Sequence, residues 1–234
     1  MISSVTLRER LTDIRLRVTA AAEKKGRDPA EVTILAATKS VPANVVELAI
    51  QLGVTDIGEN RLQEAAAKFP EVPSLGRVRT HYIGRLQSNK AKHAVVMFSM
   101  IQSVDSLKLA RIIDRHAADA GKVMPILVEV NVGDEESKSG ITPEETLPFC
   151  NQLLRLPHIR VEGIMGIPPQ GTDEETREYF RTLKDLQKRL GMPVLSMGMS
   201  SDFEVAVEEG STMVRVGTAL FGPREQYGGA AVEH

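Results

Sequence analysis

The chain has 234 residues but only one cysteine, no tryptophan and three tyrosines. The single cysteine, Cys150, excludes a disulfide within the chain and is typical of a reducing compartment. No uninterrupted apolar run is long enough to cross a bilayer. The N-terminus is polar and lacks the apolar core of a secretory signal. These absences lead us to expect a cytoplasmic protein.

An excess of charge of either sign is also missing. The 29 lysines and arginines nearly balance the 31 aspartates and glutamates, and the formal net charge is −2. We therefore expect neither nucleic acid nor a membrane surface as a partner. The five histidines do not show the paired spacing of metal ligands, and the lone cysteine adds no ligand, so the sequence predicts no metal site.

Eight apolar runs alternate with helical patterns, and this number of parallel strands closes a barrel. Neither the dinucleotide motif G-x-G-x-x-G nor a Walker-type phosphate loop is present. We predict an α/β fold, a single (β/α)8 TIM barrel over residues 1–226, with an extra N-terminal helix that would cover the barrel bottom. Residues 227–234 are predicted to form a disordered tail. The runs span residues 32–38, 55–58, 80–84, 100–104, 125–132, 160–167, 193–197 and 213–216.

Capping residues mark several helix starts in the sequence. Asp105 is the expected N-cap of a helix over residues 106–120. Thr142, Thr172 and Ser201 each begin a segment with the spacing of a capping box, in which a side chain three residues later bonds back to the cap.

Lys39 is the most informative residue, because it ends the first predicted strand just before a strand-to-helix loop. Such barrels place their chemistry at the carboxyl ends of the strands. A partly desolvated lysine there loses its charge readily and can attack an aldehyde to form a Schiff base. The alternative is a solvated lysine that merely ends a strand.

Two glycine-containing loops, after the seventh and eighth runs, are candidates for binding a phosphate group. Glycine lets the backbone approach an anion, and backbone N–H groups converge in such loops. The candidate ligands are Ser200, Gly217 and Thr218, whereas the alternative for Ser200 and Ser201 is helix capping. Strand eight neighbours strand one in a closed barrel, so Lys39 and this phosphate site would share one mouth.

Arg215 lies in the eighth run, two residues before Gly217. Because an unpaired buried guanidinium is costly, Arg215 either pairs with a carboxylate such as Glu59 or Glu129 or faces a cofactor. A lysine that forms imines beside a phosphate site indicates an aldehyde carrying a phosphate, and pyridoxal 5′-phosphate (PLP) is the obvious candidate. An arginine donates to a pyridine nitrogen without protonating it, which disfavours chemistry that needs a strongly stabilised carbanion, such as transamination, and suits a racemase or a protein that simply carries the cofactor.

The sequence resembles the pyridoxal phosphate homeostasis protein family, whose fold is like the N-terminal domain of alanine racemase. The resemblance covers essentially the whole chain. It is carried by the ordered motifs ATK (37–39), IGEN (57–60), HYIGRLQSNK (81–90), VDSL (104–107), NVGDEESKSG (131–140), GIMGIP (163–168), LSMGMS (195–200) and RVGTALFG (215–222). Ser201 departs from the family pattern, which often has aspartate there.

The resemblance implies a role for each site residue. Lys39 would hold PLP as an internal aldimine, and Arg215 would face the pyridine nitrogen. The phosphate would bind to Ser200, Gly217 and Thr218, and Asn60 would contact the ring side of the cofactor. The family is regarded as maintaining intracellular PLP and the linked amino-acid and keto-acid pools without established catalysis. PLP-dependent apoenzymes are candidate recipients of the cofactor.

Two other functions remain open at this point. The first is a slow PLP-dependent amino-acid racemase, which would need a second acid/base group such as Tyr82, Tyr179 or Tyr227. The second is a barrel that binds a phosphorylated sugar without PLP. Alanine racemases take their second tyrosine from a C-terminal β domain of a partner subunit, which we do not expect here, and we therefore expect a monomer. Lys138 is a candidate second aldehyde acceptor, or else a mobile loop lysine.

Overall fold

The computed structural model describes residues 2–133, 139–169, 171–223 and 227, and its eight strands form a closed parallel barrel in the order β1 to β8. The predicted (β/α)8 TIM barrel is therefore confirmed. The strands are β1 Thr33–Ala37, β2 Asp56–Glu59, β3 Arg79–Tyr82, β4 Met100–Val104, β5 Met124–Val130, β6 Ile159–Gly166, β7 Val194–Met199 and β8 Met213–Val216.

Helices follow the strands on the outside of the barrel, and the apolar core lies between the two layers. A smaller apolar group of Met100, Leu127 and Met165 lies apart from this core, on the inner side of the wall. The helices are α1 Ser4–Glu23, α2 Ala43–Gln51, α3 Leu62–Lys68, α4 Ala91–Met97, α5 Leu107–Asp119, α6 Pro143–Leu153, α7 Asp173–Leu190, α8 Phe203–Glu208 and α9 Thr218–Phe221. No helix among the described residues is both long and apolar enough to span a membrane.

The extra N-terminal helix, α1, lies on the outer surface of the barrel and not across its bottom. It packs along α8 and α9. The Arg17 guanidinium lies 4.6 Å above the ring of Phe203 and bonds Glu204 at 2.6 Å. Arg15 donates to the carbonyl of Gly53 at the end of α2. The apolar stripe of α1 is therefore buried against neighbouring helices.

Two of the four predicted caps are wrong. Thr172 forms the full capping box with Glu175, and Thr142 caps α6. The cap of α5, however, is Ser106 and not Asp105, because the Ser106 hydroxyl accepts from Leu109 N. Ser201 does not open a capping box either, since α8 begins after Asp202, whose carboxylate accepts from Met199 N at 2.5 Å.

The absence of a side chain at Gly163 allows β6 and β7 to approach each other closely. A Cβ atom at this position would overlap the Val194 carbonyl oxygen on the neighbouring strand. We expect Gly163→Ala to lower the free energy of unfolding by about 1–3 kcal/mol, the usual cost of overpacking. Urea denaturation measures this loss. Gly76→Ala is the matched control, since a Cβ there meets no atom within 4 Å; equal effects of the two substitutions would contradict the prediction.

Candidate functional site

Lys39 and the loop after β8 lie at the same mouth of the barrel, as predicted. β1 pairs with both β2 and β8, with Leu35 opposite Arg215 and Ala36 opposite Val216. A Cβ atom on Gly217 would lie 3.5 Å from the carbonyl oxygen of Ala37. Lys39 follows two residues after Ala37 and is half-buried. Barrel closure therefore brings together residues that are almost 180 positions apart.

The turn after Lys39 has an unusual backbone conformation. Ser40 has φ 62°, the left-handed region that non-glycine residues adopt at some energetic cost. Its N–H donates to a carboxylate oxygen of Glu64 in α3. This contact stabilises the turn and with it the position of Lys39.

A buried ion cluster supports the same turn from the outer side of the barrel wall. Lys68 Nζ donates to the Thr38 carbonyl at 2.7 Å, to Glu59 Oε1 at 2.7 Å and to Glu64 Oε1 at 2.9 Å. Thr38 also donates its hydroxyl to Glu59 at 2.6 Å. Burial raises the pKa of Glu59, and the charge and hydrogen bond of Lys68 oppose that rise. Sequence reasoning missed this cluster, although Glu64 and Lys68 have the i, i+4 spacing of a helical ion pair.

Ser200 lies in the loop between β7 and α8, and its hydroxyl reaches the turn between β8 and α9. Its Oγ accepts hydrogen bonds from Gly217 N and Ala219 N, both at 3.1 Å. The interpretation of Ser200 as a cap of α8 is therefore wrong, because its contacts are to the loop after β8. Two backbone N–H groups converge on one oxygen position, which is an arrangement that also fits an oxygen of a phosphate group. Thr218 lies next to this position and is exposed.

Arg215 is buried on the inner side of β8 and its hydrogen bonds go to uncharged oxygens. Nη1 donates to both Ser196 O and Ser196 Oγ at 2.8 Å, and Nη2 donates to Gly166 O at 3.1 Å. Burial lowers its pKa to about 10, while the carboxylates of Asp202 and Glu129 act in the opposite direction. At neutral pH the guanidinium therefore keeps its positive charge.

The alternative pairing of Arg215 with Glu59 or Glu129 is wrong. Glu59 bonds Lys68 on the outer side of the wall, and one oxygen of Glu129 accepts from Ser139 at 3.0 Å. Among the described residues, no carboxylate lies within hydrogen-bond distance of the guanidinium. With three hydrogen bonds among five N–H groups, Arg215 retains donors for a ligand.

The side chain of Asn60 has an unsatisfied polar atom that indicates a ligand at this mouth. Its side-chain Oδ1 is buried and has no hydrogen-bond donor among the described residues. Buried polar atoms without a partner are rare and costly, so a ligand that donates a hydrogen bond to this oxygen would satisfy it. The residues present, Lys39, Asn60, Ser200 and Arg215, match an aldehyde-bearing aromatic phosphate in chemistry.

An open cleft of about 800 Å³ extends from Asn60 between the loops after β2, β3 and β4. Arg61, Arg85 and Lys90 contribute positive charge to its lining. Tyr82 lines it too, but its ring packs edge-on against Phe98 at 5.3 Å. Tyr82 is buried and its hydroxyl donates to two backbone carbonyls, so it has a structural role in the core. Lys138, the candidate second aldehyde acceptor, lies outside the described residues.

Comparison with known proteins identifies the class of this barrel. The family model described as alanine racemase, N-terminal domain, matches residues 17–225. The fold and the mouth thus define an alanine racemase N-terminal-type barrel. Among curated proteins, the pyridoxal phosphate homeostasis protein of Aquifex aeolicus (strain VF5) is 42% identical over 93% of this chain and 98% of its own. The pyridoxal phosphate homeostasis protein of Escherichia coli (strain K12) is 37% identical over 92% of this chain and 95% of its own length. The chain belongs to the family of pyridoxal phosphate homeostasis proteins.

Solved structures agree with this assignment. PipY of Synechococcus elongatus PCC7942, with PLP bound, is 36% identical with a TM-score of 0.81, and the match covers 92% of this chain and 100% of PipY. An alanine racemase of Clostridium difficile 630 has a TM-score of 0.71 at 17% identity, over 92% of this chain and 56% of the racemase. Because the sequence identity to this racemase is low, the similarity shows only a shared fold.

Removing Lys68 from the ion cluster should destabilise the protein. Lys68→Met leaves the buried Glu59 carboxylate without its cation, and loss of one partner of a buried pair typically costs about 3–5 kcal/mol. Urea denaturation measures the change. Lys92→Met on the exposed side of α4 is the matched control. A Lys68→Met variant as stable as this control would contradict the prediction.

Proposed function

We propose that this protein binds PLP, holds it covalently through Lys39 and takes part in PLP homeostasis, with effects on amino-acid and keto-acid balance. The observation that carries the proposal is the position of Lys39 at the same mouth as two backbone N–H groups that converge on one oxygen. The PLP-bound structure of the relative PipY supports it.

Each site residue has a separate task in this proposal. Gly217 N and the hydroxyls of Ser200 and Thr218 bind the phosphate, and Arg215 donates to the pyridine nitrogen. Asn60 contacts the ring side, where its buried amide oxygen gains a partner. The cofactor supplies an aldehyde that condenses reversibly with primary amines.

Arg215 favours a carrier or a racemase over a transaminase. Although burial lowers its pKa to about 10, this value remains far above that of a pyridine, so Arg215 donates a hydrogen bond and keeps its proton. A ring whose nitrogen stays unprotonated stabilises a carbanion weakly. Transamination needs a strongly stabilised carbanion, whereas a racemase or a protein that only holds and releases the cofactor does not.

The contacts of the tyrosine hydroxyls favour the carrier over the slow racemase. The Tyr82 hydroxyl donates to Asn60 O and Arg85 O, and the Tyr227 hydroxyl donates to Phe221 O at 2.9 Å. Tyr179 lies on α7, outside the barrel. These hydroxyls are engaged by the backbone or remote from the mouth, so their geometry does not suit a second acid/base group.

The sequence supports four further parts of the proposed function. These are a barrel domain over residues 1–226, a monomer, a cytoplasmic location and PLP-dependent apoenzymes as recipients. The open cleft beside Asn60 supports exchange of the cofactor, because it leaves room for amines to reach the mouth.

Borohydride reduction of the PLP-loaded protein tests the attachment site. We expect peptide mapping to find a phosphopyridoxyl group on Lys39, because this amine lies beside the phosphate-binding loop. The adduct should be lost in Lys39→Ala and kept in the surface control Lys92→Ala. An adduct on another lysine in the wild type, Lys138 included, would contradict the assignment. A protein that remains colourless after addition of PLP would favour the phosphorylated-sugar alternative.

Incubation of the loaded protein with L-alanine separates the carrier from the slow racemase. We expect chiral chromatography to show no Lys39-dependent formation of D-alanine, because the hydroxyls of Tyr82, Tyr179 and Tyr227 are engaged by the backbone or remote from the mouth and do not suit a second acid/base group. Lys39→Ala serves as the background control. Robust inversion that disappears in Lys39→Ala would overturn the carrier interpretation.

A further inference from the structure

A continuous chain of buried polar side chains crosses the inside of the barrel from β2 to β8. Asp56 Oδ1 lies 2.9 Å from His81 Nε2, and His81 Nδ1 lies 3.0 Å from Gln102 Nε2. Gln102 Oε1 lies 2.8 Å from Ser196 Oγ, which lies 2.8 Å from Arg215 Nη1. All five residues are buried, four of them with 0% of their surface exposed and Arg215 with 5%.

The hydrogen bonds of this chain all run in one direction. The Asp56 carboxylate only accepts, so His81 donates through Nε2–H. The amide nitrogen of Gln102 donates to His81 Nδ1, which makes His81 a neutral imidazole. Ser196 then donates to the amide oxygen of Gln102 and accepts from Arg215. The Met213 sulfur, 3.2 Å from Gln102 Nε2, is a weak acceptor and agrees with this orientation of the amide.

The far end of the chain is a fixed negative charge. Asp56 also accepts from Arg79 Nε and from the Thr55 hydroxyl, both at 2.8 Å. Burial acts to raise its pKa, and the hydrogen bonds from His81, Thr55 and Arg79 act to lower it by stabilising the carboxylate. Hydrogen bonds in series polarise one another in a low dielectric. The chain therefore makes the Ser196 oxygen a stronger acceptor for Arg215.

This chain matters for Arg215 because Ser196 is its main anchor. Two of the three hydrogen bonds of the guanidinium go to Ser196, one to the carbonyl and one to the hydroxyl. The hydroxyl has a fixed orientation only while Gln102 Oε1 accepts its hydrogen bond. Loss of that acceptor frees the hydroxyl and weakens the constraint on the guanidinium.

We propose that His81 and Gln102 are positioning residues, which set the orientation of Arg215 toward the cofactor ring through Ser196. The inference rests on the proposed function, in which Arg215 faces the pyridine nitrogen. Neither residue touches that nitrogen, so both act through Arg215. Their effect on the bound cofactor therefore depends on Arg215 being present.

Nitrogen-15 NMR of the protein without added PLP tests the direction of the hydrogen bonds at His81. We expect the His81 ring at pH 8 to carry its proton on Nε2 and to have an unprotonated Nδ1. A proton on Nδ1, in either the neutral or the doubly protonated ring, would overturn the proposal, because Gln102 then could not donate to His81 and accept from Ser196.

Gln102→Met interrupts the chain with a side chain of similar length. We expect PLP to bind about threefold to tenfold more weakly, the range for loss of one net hydrogen bond. We also expect the absorption band of the bound cofactor to shift. Gln152→Met, the same change on the exposed side of α6, should alter neither the affinity for PLP nor the absorption band. Ser196→Ala, which removes only the hydroxyl, is the second variant in case Gln102→Met does not fold.

A double-mutant cycle distinguishes positioning from a general structural effect. In an Arg215→Gln background, Gln102→Met or Ser196→Ala should cause little further loss of PLP affinity. An equal loss in both backgrounds would overturn the proposal, as would wild-type affinity and absorption in both variants. Failure of the wild-type protein to form the Lys39 adduct would instead contradict the proposed function on which the inference rests.

Discussion

The pairing of β1 with β8 is the constraint on which the site depends. It closes the barrel and places Leu35 beside Arg215, so that the loop carrying Lys39 and the loop carrying Gly217 leave the same edge side by side. In an open sheet these two strands would lie at opposite edges, and an amine and a phosphate-binding loop could not serve one ligand. The parallel arrangement also requires a helix after each strand, which leaves the strand ends as the place for side chains with a chemical role.

Two buried polar systems flank the wall at this closure, one on each side. Outside, Lys68 bonds Glu59, Glu64 and the carbonyl before Lys39. Inside, the hydrogen-bonded chain ends at Arg215. Buried charges are costly unless they are paired and fully hydrogen-bonded, so neither system is expected to raise stability greatly over an apolar core. The outer system supports the turn that carries Lys39, and the inner system anchors Arg215. This suggests that their role is to position these two side chains.

The fold could be predicted from the sequence because its signals are local. Eight β-rich runs and a capping box at Thr172 each need only a few neighbouring residues. The partners of Arg215 could not be found in this way, since Gly166 and Ser196 lie 49 and 19 positions away. Glu59 was a reasonable candidate by charge, yet strand alternation turns it outward while Gly58, its neighbour, faces the barrel interior. That parity depends on strand register, which the sequence does not reveal.

Ser200 connects the geometry of the mouth with reversible binding. Its hydroxyl oxygen accepts from Gly217 N and Ala219 N, so the protein itself supplies an acceptor for these donors. A hydroxyl can also donate, and rotation about one side-chain bond would let Ser200 bind a phosphate oxygen that takes over the two N–H groups. Binding then exchanges one acceptor for another, and release does not leave buried donors unpaired. A site built in this way favours exchange of its ligand, which is what a carrier requires and what an enzyme with a permanently held cofactor does not.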